Sequence, residues 1–296
     1  MSTELASVKK EFNDSNVKSA KYSLIGMIWG HKAFSFGAFM IMGFAVIAII
    51  GPWIIPYSPY TTDYSIALHA PSLSHLFGTD NLGRDVLSRV MIGSREALGS
   101  GVLIVGLALL IGIPLGLAAG YFGGWVDEVI MRLVDTGLSL PGLVLAMAIS
   151  FSLGPSFINS VMAVAVIMAP QFIRIVRGQV LSLRDREYIQ AARTQGVPAW
   201  RIMVNHILRN SSTPIIVASN LNIGYAIMTV ASLSFLGLST PPPFPSWGEM
   251  MQSGTQFLTI SPWISFFPGM CIFLLVLAFT ILGEGIRDIL DPQSKG

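Results

Sequence analysis

The stretch EYIQAARTQGVPAWRIMVNHIL, Glu187 to Leu208, is a polar and basic insert in a strongly hydrophobic chain. Hydrophobic residues make up 52% of the 296 residues and charged residues 11%, whereas soluble domains carry about 25% charged residues. In or beside the insert lie seven of the 18 Lys and Arg residues: Arg174, Arg177, Arg184, Arg186, Arg193, Arg201 and Arg209. The composition therefore predicts a membrane protein in which the insert is a water-facing segment between two spans.

Charge-free runs on both sides of the insert predict transmembrane helices. A helix of about 20 residues crosses the hydrocarbon layer, and the runs between residues 32 and 63, 96 and 127, 135 and 174, 209 and 249, and 249 and 284 are all long enough. The run from 135 to 174 accommodates two helices, because Ser152-Leu-Gly-Pro-Ser156 predicts a tight turn within it. We therefore expect an all-α membrane protein with six transmembrane helices.

The distribution of basic residues predicts the orientation. With six spans, fifteen Lys and Arg residues fall on one side, and only Arg84, Arg89 and Arg95 fall on the other. The positive-inside rule then predicts a multi-pass protein of the cell membrane whose N- and C-termini are both cytoplasmic. The net charge of +2 reflects this orientation and gives no indication of nucleic-acid binding.

The expected organisation is a cytoplasmic tail at residues 1–32, a six-span domain at 33–290 and a cytoplasmic tail at 291–296. Within the six-span domain we expect an outward segment at 57–96, a cytoplasmic loop at 182–210 and an outward loop at 238–262.

Small and charged residues in the spans predict packing. Glu128 and Arg132 lie four residues apart, and Arg132 and Asp135 three apart, so these side chains are expected to neutralise each other on one helical face. A stripe of small residues, repeated every four positions along the second span, predicts close approach of another helix: Gly112, Gly116, Gly120 and Gly124.

Sequence signatures of catalysis are missing. The sequence contains no G-x-x-x-x-G-K-[ST] phosphate loop, no H-E-x-x-H pair and no G-x-S-x-G elbow, and its four histidines suit no metal site. We therefore predict that the chain is not an enzyme, with no catalytic, cofactor-binding or metal-binding residues of its own.

The insert itself predicts a short helix, a tight turn and an amphipathic helix. Asp185 is positioned to cap the first helix, Gly196 to end it and Pro198 to begin the second. In the second helix, an apolar face at helical spacing is expected from Trp200, Met203, Val204, Ile207 and Leu208. Amphipathicity alone leaves two alternatives open, a helix lying on anionic lipid and a docking surface for a soluble partner.

Three motifs resemble the permeases of one transporter family. Gln190-Ala191-Ala192, followed by Gly196 and then Ile207-Leu208, resembles the EAA loop of ABC importer permeases. HLFGTDNLGRDVLSRVMIGSREAL (His75 to Leu98) and SFLGLSTPPPFPSWGEMM (Ser234 to Met251) are similar to segments of the dipeptide, oligopeptide and nickel permeases. The likeness runs from about Trp53 to Asp291-Pro292 and is greatest to the second permease of such systems.

The resemblance implies the ABC importer permease (MetI-like) fold with a cytoplasmic coupling helix. It also implies the partners: a homologous second permease, two ATPase subunits that bind ATP, an extracytoplasmic substrate-binding protein and the lipid bilayer. The residues expected in the ATPase-coupling loop are Glu187, Gln190, Ala191, Ala192, Arg193, Gly196, Val197, Pro198, Arg201, Ile207 and Leu208. The loops expected to face the binding protein contain Asp80, Arg84, Pro242 and Trp247.

The sequence departs from the family pattern at several positions, and these departures bear on which ATPase the chain accepts. Gln190 stands where the EAA loop has Glu, and Arg209 stands where its closing Pro is expected. Near the end of the last span, Thr280 and Glu284 replace the common Asn and Asp.

Peptide is the expected cargo, with oligosaccharide or nickel as alternatives within the same class. An ATP-independent secondary transporter and a membrane scaffold are the alternatives from other classes.

Overall fold

The computed structural model describes residues 32–290, and every regular element in this range is helical. The predicted tails at 1–32, apart from Lys32, and at 291–296 lie outside the described residues. The α-helices are α1 (Lys32–Ile54), α2 (Val86–Phe122), α3 (Gly124–Ser139), α4 (Gly142–Leu153), α5 (Phe157–Leu183), α6 (Glu187–Thr194), α7 (Ala199–Arg201), α8 (Ser212–Phe235), α9 (Trp247–Gly254) and α10 (Trp263–Leu290). A π-helical turn (Ile202–Leu208) continues α7, and 3₁₀ turns lie at Tyr64–Ile66 and Thr255–Phe257.

Five helices in the described part of the chain are long and apolar enough to span a membrane: α1, α2, α5, α8 and α10. The pair α3 and α4, whose axes meet at 92°, also passes the length and composition of a span when the two helices are taken together. The prediction of an all-α protein with six spans is therefore confirmed if this pair counts as one. The third span bends because Pro141 favours extended backbone at Leu140, where φ is −97° and ψ is 145°.

The predicted turn between the third and fourth spans is confirmed. Helix α4 ends at Leu153, Gly154 adopts a positive φ of 85°, and α5 begins at Phe157. Glycine adopts this backbone conformation without the steric cost that a Cβ atom would bring.

Helix α2 begins well before the predicted second span. Asp85 caps it by accepting hydrogen bonds from the Ser88 amide (2.8 Å) and hydroxyl (2.7 Å), and the 37 residues that follow extend for about 55 Å. The segment predicted at 57–96 is therefore irregular only as far as Asp85, apart from one 3₁₀ turn. The predicted loop at 238–262 also contains the short helix α9.

Among the described helices, the most extensive contact joins α2 to α5 along the glycine stripe. A Cβ atom at Gly112 would lie 2.6 Å from Phe172 Cβ. At Gly116 and Gly120 the corresponding distances, to Val176 Cβ and Val180 Cβ, would be 2.7 and 2.5 Å. These three positions confirm the predicted stripe, whereas Gly124 lies in the turn that begins α3, with a φ of 52°.

Ion pairs join α3 to α5. Arg132 pairs with Glu128 at 2.6 Å, as predicted, but Asp135 pairs with Arg174 at 2.6 Å instead of with Arg132. Arg177 Nη2 donates to Asp127 Oδ2 at 2.6 Å. Two arginines counted with the polar insert therefore bind the chain itself, and they hold the bent span against its neighbour.

The bundle has two differently built ends. We call residues 184–211 the arginine end and residues 55–85 together with 236–246 the proline end. Helix α2 connects them, since it begins beside Asp85 and ends near Arg184, whose Nη1 donates to the Gly120 carbonyl at 3.0 Å.

Gly116→Ala is expected to destabilise the chain, because its Cβ atom would overlap Val176 Cβ and lie 2.8 Å from the Ile173 carbonyl oxygen. Overpacking of this kind costs about 1–3 kcal/mol. Gly106→Ala on the same helix is the control, since no atom lies within 4 Å of its Cβ position. Thermal unfolding of both variants in detergent measures the difference. Equal melting temperatures would contradict the close contact.

Candidate functional site

The turn at the arginine end is a Schellman motif centred on Gly196. Its amide donates to the Arg193 carbonyl at 3.0 Å, and the Val197 amide donates to the Ala192 carbonyl at 3.1 Å. Gly196 adopts a φ of 75°, and no atom lies within 4 Å of its Cβ position. The predicted stop signal therefore has a defined backbone role, since this motif favours glycine at the left-handed position.

The helix starts differ from their predictions. Arg186, not Asp185, occupies the cap position of α6, without a side-chain capping bond, and the Asp185 carboxylate lies 3.5 Å from Arg184 Nε. Pro198 occupies the cap position of α7, one residue before the helix.

The predicted apolar face of the second helix is partly wrong because the chain forms a π-helical turn from Ile202 to Leu208. Such a turn hydrogen-bonds residues five apart, so Ile202 and Ile207 share one face and are both fully buried. Trp200 and Val204 instead point outward, with 58% and 46% of their surface exposed. A period of 3.6 residues does not describe this segment.

A hydrophobic cluster attaches the arginine end to three spans. Ile189, Ala192, Ile202 and Ile207 supply the side chains of the insert. They pack against Leu117 of α2, Val176 and Val180 of α5, and Ile215 of α8. The insert is therefore in side-chain contact with α2, α5 and α8.

The predicted coupling residues divide into a surface and an anchor. Ala192 and Ile207 are buried, and Arg193, Val197 and Leu208 are half-buried, with the Arg193 guanidinium 4.8 Å above the Tyr121 ring. The remaining members form an exposed surface: Glu187, Gln190, Ala191, Gly196, Pro198 and Arg201. Arg201 lies over the exposed Trp200 ring at 5.4 Å, which adds an aromatic and cationic patch to that surface.

At the proline end, three of the four residues predicted to face a binding protein are buried. Asp80 and Arg84 form an ion pair at 2.7 Å, and Asp80 also accepts the amides of Leu82 and Arg84 at 2.9 Å each. Trp247 is buried and donates to the Val90 carbonyl at 2.9 Å. These residues hold the proline end together and offer no surface to a partner, whereas Pro242 is exposed beside a cis peptide bond to Pro243.

Arg89 is the central polar contact of the proline end. Only 1% of its surface is exposed, and its Nη1 donates to the Pro59 carbonyl at 3.0 Å while Nη2 pairs with Glu249 at 3.0 Å. Asp80 lies 3.8 Å from its Nε. One guanidinium therefore ties the irregular segment and α9 to α2, a role that its charge alone did not predict.

A cavity of about 390 Å³ with three polar side chains in its lining lies at mid-span between α5 and α8, lined by Gln171, Ala218, Leu221, Asn222 and Tyr225. Gln171 and Tyr225 are exposed although each lies near the middle of its helix. The break at Leu140 and Pro141 is exposed nearby, since the Cβ position of Gly142 lies 3.8 Å from Tyr225 Oη. The sequence predictions did not single out these residues. An amide side chain and a phenol within charge-free runs could have indicated them.

Comparison with known proteins identifies the chain. A family described as binding-protein-dependent transport system inner membrane component matches residues 112–296. One described as the N-terminal TM domain of oligopeptide transport permease C matches residues 28–71. With the helical bundle, these matches define a permease subunit of an ABC importer, a multi-pass membrane protein that is not itself an enzyme. Within that class, the chain belongs to the family of binding-protein-dependent transport system inner membrane components. Family membership excludes the secondary-transporter and scaffold alternatives.

Relatives cover most of the chain. The dipeptide transport system permease protein DppC of Alkalihalophilus pseudofirmus is 45% identical over 94% of this chain and 88% of that protein. The probable D,D-dipeptide transport system permease protein DdpC of Escherichia coli K12 is 40% identical over 92% of each chain. The glutathione transport system permease protein GsiD of Pectobacterium atrosepticum is 42% identical over 90% of this chain and 88% of that protein.

A solved structure shares the fold. The inward-facing MetNI methionine ABC transporter superposes with a TM-score of 0.56 at 16% identity, over 69% of this chain and 98% of that chain. The predicted MetI-like fold is therefore confirmed.

Arg89→Gln is expected to destabilise the proline end by about 3–5 kcal/mol, because it leaves the largely buried carboxylate of Glu249 without its cation, whereas Asp80 keeps its ion pair with Arg84. Arg132→Gln is the control, since its ion pair with Glu128 is exposed and such pairs contribute about 0–1 kcal/mol. Thermal unfolding in detergent compares the two variants. Similar losses would show that Arg89 does not hold the proline end together.

Proposed function

We propose that this chain forms half of the translocation path of an importer for short peptides. In the proposed assembly, a homologous permease supplies the other half, two ATPase subunits dock at the arginine end, and a substrate-binding protein docks at the proline end. The arginine end and both termini then face the cytoplasm. The peptide cargo is supported by the dipeptide and glutathione permeases at 40–45% identity.

The observation that carries the proposal is the polar surface at mid-span. Transfer of an amide such as that of Gln171 from water to an apolar medium costs about 2–7 kcal/mol when the amide has no hydrogen-bond partner there. Broken backbone at membrane depth is tolerated only inside protein or beside a water-filled cavity. The exposed Gln171, Tyr225 and Pro141 therefore favour a face turned toward an aqueous path, not toward lipid.

Other faces of the bundle suit lipid. Helix α1 exposes Phe39, Met42 and Trp53, and its composition is strongly apolar. The contrast between this helix and the face made by α4, α5 and α8 supports the choice of path.

The arginine end suits a protein partner better than a lipid surface. A helix that lies on lipid needs a free apolar face, but here Ile202 and Ile207 are already packed against the spans. The surface that remains combines Tyr188, Trp200 and Arg201, and aromatic residues and arginine are enriched where proteins bind one another. We therefore place the ATPase contact on this surface, with the buried anchor transmitting its movement.

The receiving surface for a binding protein is proposed at the exposed part of the proline end. Tyr60 and Phe244 pack edge to face, with ring centroids 6.1 Å apart, and both remain exposed beside Pro242. Asp80, Arg84 and Trp247 are buried and are not part of this surface.

Gly196→Arg is expected to abolish peptide-stimulated ATP hydrolysis, because it strains a positive φ and places a long side chain on the proposed ATPase contact. ATP hydrolysis and co-purification of the ATPase subunits in mild detergent measure the effect.

Gly237→Arg is the matched control, since Gly237 has the same φ of 75°, is exposed and has no atom within 4 Å of its Cβ position. It lies at the proline end, so ATPase co-purification is expected to survive. Loss of co-purification in both variants would indicate general destabilisation and contradict a specific contact.

The cargo is tested by uptake into proteoliposomes that contain the full importer and its binding protein. Di- and oligopeptides are expected to be taken up, and oligosaccharides and nickel are not. Gln171→Leu is expected to lower peptide uptake about tenfold, the value of one hydrogen bond, without loss of ATPase co-purification.

Met162→Leu on α5 is the control for that substitution, because Met162 is exposed and apolar and replacement by leucine preserves both properties. Full uptake by Gln171→Leu, together with higher thermal stability, would place Gln171 against lipid and overturn the proposed path. Uptake of oligosaccharide or nickel alone would overturn the peptide cargo.

A further inference from the structure

A second cavity, of about 580 Å³, lies where α2 meets the proline end. Its lining includes Arg95 and Glu96 of α2, Thr240 of the proline-rich loop, and the aromatic rings of Tyr60 and Phe244. The cavity is distinct from the one at Gln171 and is large enough for a short peptide.

Arg95 and Glu96 form no ion pair with any residue that the structure describes. Arg95 is exposed and forms no hydrogen bond or ion pair with any residue that the structure describes. Glu96 accepts a hydrogen bond from the Thr240 hydroxyl at 2.6 Å but has no cationic partner among residues 32–290. Consecutive residues on a helix project about 100° apart, so the two groups do not neutralise each other.

The neighbouring charges are already engaged. Arg89 pairs with Glu249, and Arg84 pairs with Asp80, so these four side chains neutralise one another beside the cavity. Arg95 and Glu96 therefore remain as a basic and an acidic group that line the same cavity without an opposite charge beside them, Arg95 exposed and Glu96 partly enclosed with a hydrogen bond from Thr240.

This arrangement matches the chemistry of a free peptide, which carries an ammonium group at one end and a carboxylate at the other. A guanidinium binds carboxylate through two parallel hydrogen bonds, and a carboxylate binds ammonium through charge-assisted hydrogen bonds. The termini are common to all short peptides whatever their side chains. A site that reads only the termini accepts many sequences.

We propose that this cavity receives short zwitterionic peptides, with Arg95 binding the C-terminal carboxylate and Glu96 the N-terminal ammonium. The proposal rests on the proposed function, because it assumes that the cargo is a peptide. It adds the residues that distinguish a peptide from an uncharged sugar or a metal ion.

The test uses the full importer in nanodiscs and saturation-transfer NMR with the dipeptide Ala-Phe in the absence of binding protein. The dipeptide with free termini is compared with its C-terminal amide and its N-acetyl form. The free dipeptide is expected to bind, and each blocked form is expected to bind about 10- to 100-fold more weakly, because one charged hydrogen-bonded contact is lost.

Arg95→Gln is expected to weaken binding of the free dipeptide and to leave binding of the amide unchanged. Glu96→Gln, which keeps an acceptor for Thr240, is expected to do the same with the N-acetyl form as the unaffected ligand. Arg132→Gln and Glu128→Gln are the controls, since they remove the same charges from exposed positions outside the cavity.

Equal binding of all three peptides, or equal loss for all three in both variants, would overturn the proposal. A zwitterionic lipid headgroup presents the same pair of charges, so nanodiscs with and without phosphatidylethanolamine are compared. Disappearance of peptide binding only in its presence would assign the cavity to lipid. Stimulation of ATP hydrolysis by peptide-loaded binding protein is measured in parallel, because its absence would contradict the peptide importer itself, whatever the cavity binds.

Discussion

The close approach of α2 and α5 is the contact on which the other contacts of the bundle depend. At Gly112, Gly116 and Gly120 the two helices are near enough that one Cβ atom would overlap the facing side chain. Without a hydrophobic driving force between helices in lipid, such close packing is a main source of association. The contact also brings together Leu117 of α2 and Val180 of α5, and these two side chains belong to the hydrophobic cluster against which the arginine end packs. Because α2 begins directly after Asp85, this one helix connects that hydrophobic cluster to the proline end.

Charge in this chain serves internal structure as much as partners. The insert is conspicuous for its arginines, yet Arg174 and Arg177 pair with carboxylates of α3, and Arg184 binds a carbonyl of α2. Arg89 is buried with Glu249, whereas Arg95, only six positions later, has no partner in the described chain. A count of charges predicts orientation, but long-range contacts determine which charges remain available.

Local signals predicted the elements well, and non-local ones were missed. Charge-free runs, the turn at Gly154 and the glycine stripe depend on a few neighbouring residues, and these predictions agree with the structure except at Gly124, which lies outside the contact between the helices. The π-helical turn was not predicted, because its side chains follow the packing of Ile202 and Ile207 against distant helices. Likewise, Asp80 and Trp247 lie in motifs that suggest recognition, but their partners across the fold bury them. The three motifs indicated the family correctly. The role of each residue within them depends on whether the fold buries it.

The two cavities explain why one chain supplies only half of the proposed path. Phe157 lines the cavity at the proline end and Gln171 lines the mid-span cavity, and these two residues lie fourteen positions, or about 21 Å, apart along α5. Fourteen residues bring the helix back to nearly the same face, but on that face Val161, Val164 and Met168 are buried in the core. A peptide cannot pass through close-packed side chains, so a route from Arg95 to Gln171 must follow the surface of this chain. In a membrane such a route requires a second protein wall to exclude lipid, and the homologous permease of the proposed assembly supplies it.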